Sequence, residues 1–128
     1  MSKSITHNLD CMDFLRDCPD KAFDLAIVDP PYGMMGMGAQ SGGEKGIMRE
    51  RAYKMEHLSG WDDQPPTEYF TELFRVSVNQ IIWGGNYFAL PPTREVICWD
   101  KCQPFWNFSA WEMGWTSFCG VTKMFKFD

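Results

Sequence analysis

The residues with the clearest chemical content are Asp29-Pro30-Pro31-Tyr32. They end the run Asp24-Leu25-Ala26-Ile27-Val28-Asp29, whose centre is apolar without alternation, the pattern of a parallel strand buried on both faces. Open α/β sheets place ligands at the carboxyl ends of such strands. Two prolines stiffen the backbone and remove two N–H donors, leaving their carbonyls as acceptors. Asp29 adds a further acceptor and Tyr32 a flat ring. Together they suit a planar heterocycle with an exocyclic amine, whose two hydrogens are accepted while the ring is stacked. Holding both hydrogens frees the nitrogen lone pair to attack an electrophilic methyl group. A base lying in a duplex must be flipped out to reach such a corner. Four residues alone serve equally well as a strand-ending turn, so the surrounding elements decide between the readings.

Those elements follow one α/β pattern. Ser4 to His7 reads as a short strand. Asp10 is a helix N-cap ahead of Met12, Phe14 and Leu15, and Pro19 stops that helix. After the strand ending at Asp29, residues 30–64 are rich in glycine, methionine and charge, with a long mobile loop expected over about 33–62. Loops longer than about 15 residues in compact domains are usually functional or disordered. A helix begins near Pro65-Pro66, with Phe70, Leu73, Phe74 and Ser77 on one stripe and Tyr69 and Val76 beside it. Gln80 to Trp83 reads as a second buried strand closed by Gly84-Gly85, Glu95 to Trp99 as a third, and Val121 to Phe127 as a fourth. The order points to an open α/β sheet with crossover helices, in one domain over residues 1–128.

Composition bounds the possibilities. The 128 residues are 45% hydrophobic and 16% aromatic, enough for a core and too much for a disordered chain. The net charge of -5 excludes a wholly basic nucleic-acid binder, so DNA contact would need a local basic patch or partner. No apolar stretch reaches the roughly 18 residues of a membrane span, and the polar start is not a secretory signal; a cytoplasmic location is expected. The cysteines (11, 18, 98, 102 and 119) are odd in number and lack close metal-ligand spacing, so reduced thiols and no metal are expected.

His7 to Met12, Asp24 to Gly33, Trp61-Asp62-Asp63, Trp83 to Phe88, Trp99-Asp100-Lys101 and Glu112 to Ser117 occur in the order seen in a known family. The chain resembles the beta-group DNA amino-methyltransferases of bacteria and phages, with the tryptophan-containing segments closest to the small phage and prophage members. The resemblance spans nearly the whole chain. It implies a partial Rossmann-like methyltransferase sheet, mostly parallel with one antiparallel strand, and transfer of a methyl group from S-adenosylmethionine to adenine N6 in DNA. Asp29, Pro30 and Tyr32 would hold the flipped adenine's amine, with Pro31 shaping the turn. Asp10, with Cys11 and Asp29, would lie near the donor, and Gly33, Trp83, Asn86 and Tyr87 would line the cleft. The Asp-led tetrapeptide favours adenine N6 over cytosine N4, and an RNA base fits the same contacts.

The chain departs from the family where the donor is held. The expected Phe-x-Gly-x-Gly loop is absent before Asp128, and Gly33-Met34-Met35-Gly36-Met37-Gly38, behind two prolines, reads as a hinge rather than a nucleotide loop. The resemblance therefore implies a catalytic half without its donor half, not expected to turn over alone. Leu25 to Val28 would then be an exposed edge open to a missing half or to self-association. A non-catalytic binding module and an unrelated nucleotide-binding domain are the alternatives.

Other signals are balanced by plainer readings. Lys45, Arg49, Arg51 and Lys54 suit phosphates, but Glu44, Glu50 and Glu56 interleave with them, as in a solvated loop. Asn86 and Tyr87 suit a cleft wall or a tight turn. Glu112 suits a cleft carboxylate or, more commonly, a paired or exposed glutamate.

Overall fold

The computed structural model describes residues 3–33, 63–102 and 109–127. Among these residues, two α-helices, α1 (Cys11–Asp17) and α2 (Thr67–Val76), accompany five strands: β1 (Phe23–Val28), β2 (Ser77–Trp83), β3 (Val96–Asp100), β4 (Trp111–Thr116) and β5 (Lys123–Lys126). The sheet order is β1-β2-β4-β3-β5. β1 pairs parallel with β2, and β3 parallel with β5, while β4 is antiparallel to both of its neighbours. Four strands thus run one way and β4 runs against them, in a mixed, open α/β sheet.

Local chemistry accounts for the helices. Asp10 Oδ1 accepts from the Met12 N–H at 2.8 Å, capping α1. The helix ends at Asp17 and Cys18 turns extended, as the residue before a proline prefers. α2 starts after Pro66, and Glu68 in its first turn meets Arg16 of α1 at 3.2 Å. At its other end Lys21, in a left-handed conformation, donates from Nζ to the carbonyls of Phe74 and Ser77, satisfying acceptors of the last turn. Arg75 ties the helices together: it donates to the Leu15 and Cys18 carbonyls at the end of α1 and to the carboxylates of Glu72 and Asp20.

The core lies between α2 and one face of the sheet. Leu15, Tyr69, Leu73, Val76, Ile82 and Trp115 are buried there, with Ala26, Val28, Phe74 and Phe88 packed around them. The buried stripe of α2 is Tyr69-Leu73-Val76; Phe70 and Phe74 flank it half-buried, a small rotation from the expected stripe. Burying an aliphatic side chain of this kind contributes about 1.5–3 kcal/mol, so α2 is held to the sheet mainly by these contacts.

The opposite face is different. The register puts Leu25, Ile27, Ile81, Trp83, Ile97, Trp99 and Phe125 on it together, and Ile27 is 62% exposed. Among the described residues β1 pairs on one side only, with β2, which agrees with the expected sheet edge.

Three expectations change. Ser4 to His7 is not a strand: β1 is the end of the sheet, and no ladder satisfies the backbone of this segment. β2 begins at Ser77 rather than Gln80, because α2 runs directly into it with Ser77 Oγ donating to the Leu73 carbonyl at 2.5 Å. Trp111–Thr116 is an additional strand, inserted between β2 and β3. The final strand is therefore the fifth, and its four residues are all exposed. Among the described residues no helix is long and apolar enough to cross a membrane.

Candidate functional site

β1 and β2 are parallel, and Val28 pairs with Ile82, so their carboxyl ends open side by side. From β1 emerges the corner Asp29 to Gly33; from β2 emerges the Gly84 turn and a short 3-10 segment, Gly85–Tyr87. Two glycines let these segments approach. Gly84 has φ of 65°, and a Cβ on it would collide with the Tyr32 ring. A Cβ on Gly85 would collide with that of Trp115. The turn is thus wedged between the candidate site and the core, which explains the glycine pair at the end of β2.

At this junction Asp29 is exposed and Pro30 buried. The Tyr32 hydroxyl donates to Asp29 Oδ1 at 2.7 Å. The Tyr32 ring stacks on Tyr87, centroids 4.7 Å apart and planes 24° from parallel, and meets the edge of Phe88 at 6.1 Å. Phe88 in turn lies 5.0 Å from Phe70 of α2, joining the aromatic group to the core. Burial raises the Tyr32 phenol above its ordinary value, and the hydrogen bond to Asp29 and the negative charges of Asp29 and Glu112 raise it further. The hydroxyl therefore stays protonated through neutral pH and acts as a donor. Among the described residues the carboxylate accepts from a side chain and not from main-chain N–H groups, a contact that an incoming amine can displace.

The structure brings together Asp29, Pro30, Pro31, Tyr32, Gly33 and Tyr87 from the expected set. Trp83 stands at the end of β2 and meets Trp99 edge-on at 6.4 Å. Asn86 is exposed in the same turn as Tyr87. Asp10 and Cys11 sit at the start of α1, both exposed, with Asp10 Oδ1 used for the helix cap. Glu112 is paired with Lys101, the commoner of its two readings, and Lys101 also lies 5.7 Å from the Trp99 ring centroid. Trp61, Gly36, Gly38 and the charged residues Lys45, Arg49, Arg51 and Lys54 lie outside the described residues.

Sequence reasoning missed Gln64. Its side-chain Nε2 donates to the Tyr32 carbonyl at 2.9 Å and to the Tyr87 carbonyl at 3.3 Å. No local signal marks a glutamine whose partners are main-chain atoms of two separate turns. Among the described residues no group of three or more His, Cys, Asp or Glu side chains is placed to hold a metal ion. No protein-family model, curated protein or solved structure matches the chain.

Proposed function

We propose that this chain presents the amine-binding corner of an S-adenosylmethionine-dependent methyltransferase acting on adenine N6 of DNA, and that its mixed sheet is part of a Rossmann-like methyltransferase fold. The observation that carries the reading is an exposed carboxylate, Asp29, fixed beside the Tyr32 ring at the carboxyl end of β1. Asp29 and the carbonyl of Pro30 would accept the amine hydrogens and Tyr32 would stack on the flipped base, leaving the nitrogen lone pair free for an electrophile. The proton leaves to solvent after transfer, so no strong base is required.

S-adenosylmethionine supplies the electrophilic methyl in this reading. The described residues do not build a pocket for it: Asp10 and Cys11 are exposed, and one Asp10 oxygen already caps α1. The chain alone is therefore read as an acceptor-side half. A second reading, a non-catalytic module that pairs with another chain, is favoured by the one-sided β1 edge and its exposed Ile27.

Calorimetric titration with S-adenosylmethionine, with and without an adenine-containing oligonucleotide, tests the proposal. The expected outcome is oligonucleotide binding that Asp29→Ala abolishes, with weak donor binding. Absence of any difference between adenine-containing and abasic oligonucleotides would sink the amine-binding reading. Cytosine-containing and RNA oligonucleotides in the same titration separate N6 from N4 and DNA from RNA.

A further inference from the structure

Gln64 stands two residues before the cap of α2, yet its amide reaches two other turns. One amide nitrogen carries two hydrogens, and here they serve two carbonyls: Tyr32 at 2.9 Å and Tyr87 at 3.3 Å. These belong to the two residues whose rings are stacked at 4.7 Å. Gly33 gives the side chain its room, since a Cβ there would stand 2.8 Å from Gln64 Cγ. Gly33 also has φ of 70°, so it serves both the corner and the clasp.

We infer that Gln64 is a positioning residue, a clasp that fixes the Tyr32 and Tyr87 main chains relative to each other and so prepares the Tyr32 face for a base. The inference rests on the proposed reading of the Asp29–Tyr32 corner as a base site. A base inserted between two rings needs them about 7 Å apart, two contact distances of about 3.5 Å. The observed spacing leaves no such gap. The base must instead take the place of the Tyr87 ring on Tyr32. Gln64 grips carbonyls and not rings, so the Tyr87 side chain can swing away while both turns keep their positions. Gln64 is exposed and lies outside the core, so its replacement tests the clasp without opening the hydrophobic interior.

Gln64→Glu has the same shape but no donor when ionised, and one when protonated. The test is a titration with adenosine, followed by intrinsic protein fluorescence, from pH 8 down to about pH 4.5, near the reference Glu value, beside proton NMR of the tyrosine rings without ligand. The wild-type protein is expected to bind equally across this range. Gln64→Glu should bind about tenfold more weakly at pH 8 and recover in part as the carboxyl protonates, because its one hydrogen serves one of the two carbonyls. Its Tyr32 and Tyr87 ring signals should lose their stacking shifts at pH 8 and regain part of them in acid. Gln64→Asn, too short to reach both carbonyls, should bind weakly at every pH. Wild-type affinity in Gln64→Glu across the range, with unmoved ring signals, overturns the clasp. Ring signals that follow pH in Gln64→Glu, with no adenosine bound even by the wild-type protein, leave the clasp standing and reject the base-site reading.

Discussion

The Tyr32 hydroxyl donates to Asp29 Oδ1 at 2.7 Å across a corner containing two prolines. The same residue thus offers a stacking face and occupies the carboxylate that an amine would use. An incoming amine competes with the hydroxyl for Asp29 Oδ1, so ring and hydroxyl should have opposite effects on binding.

Tyr32→Phe keeps the ring and releases Asp29, and is expected to bind adenosine at least as tightly as the wild-type protein. Tyr32→Ala loses the stacking face and should weaken binding by about 1–3 kcal/mol. Fluorescence titration compares the two; equal losses would show that the ring contributes nothing.

Alkaline pH should destabilise the fold in a defined direction. Tyr32 is raised above its ordinary value, and burial pushes Tyr69 up to about 12. The unfolded chain ionises these phenols near the reference value of about 10, while the folded chain still holds the protons. Their contribution is complete below that value and is lost as pH rises through the folded values. Denaturant melts from pH 8 to 12 should show the fall. Absorbance near the phenolate band should find Tyr32 titrating earlier in Asp29→Asn, which removes a negative charge but leaves the burial.

Arg75 joins the end of α1 to α2 through two carbonyls and two carboxylates. Arg75→Ala removes the partner of Glu72 and the donor to the Leu15 and Cys18 carbonyls, and is expected to lower the urea midpoint. Arg75→Lys should recover only part, because an ammonium cannot reproduce the planar fork. Urea unfolding measures both.

Gly84→Ala combines a left-handed φ of 65° with a collision against Tyr32. The conformational part alone costs about 1–2 kcal/mol. Loss of base binding beyond the loss of stability is expected, because the Tyr32 ring must move; titration under conditions where circular dichroism shows a folded chain separates the two.

Ile27 is exposed on the one-sided edge strand. Ile27→Lys is expected to reduce self-association, measured by sedimentation over a concentration series. A monomeric wild-type protein at high concentration would remove the reason for the change.

Much of the fold was legible along the chain. Asp10 capping α1, the arrest before Pro19, the start of α2 after Pro66 and the position of β1 all depend on neighbours within a few residues, and each lies where its residues placed it. The expected burial of β1 on both faces is corrected: Leu25 and Ile27 are exposed, because only the face carrying Ala26 and Val28 packs on the core. β4 was not legible, because Glu112 and Gly114 interrupt its pattern and its strand character comes from pairing with β2 and β3 on either side. The segment Ser4 to His7 failed for the opposite reason: its residues suit a strand, but among the described residues no strand pairs with it.

The amino-acid order by itself determined the Asp29-Pro30-Pro31-Tyr32 corner, since proline geometry and residue chemistry are local properties. Tertiary structure alone decided that Tyr87 stacks on Tyr32, that Gly84 yields space to that ring, and that Gln64 joins the two turns. These relationships join residues 23 to 55 positions apart, and parallel pairing of β1 with β2 is what brings the Asp29 corner and the Gly84 turn to one end of the sheet.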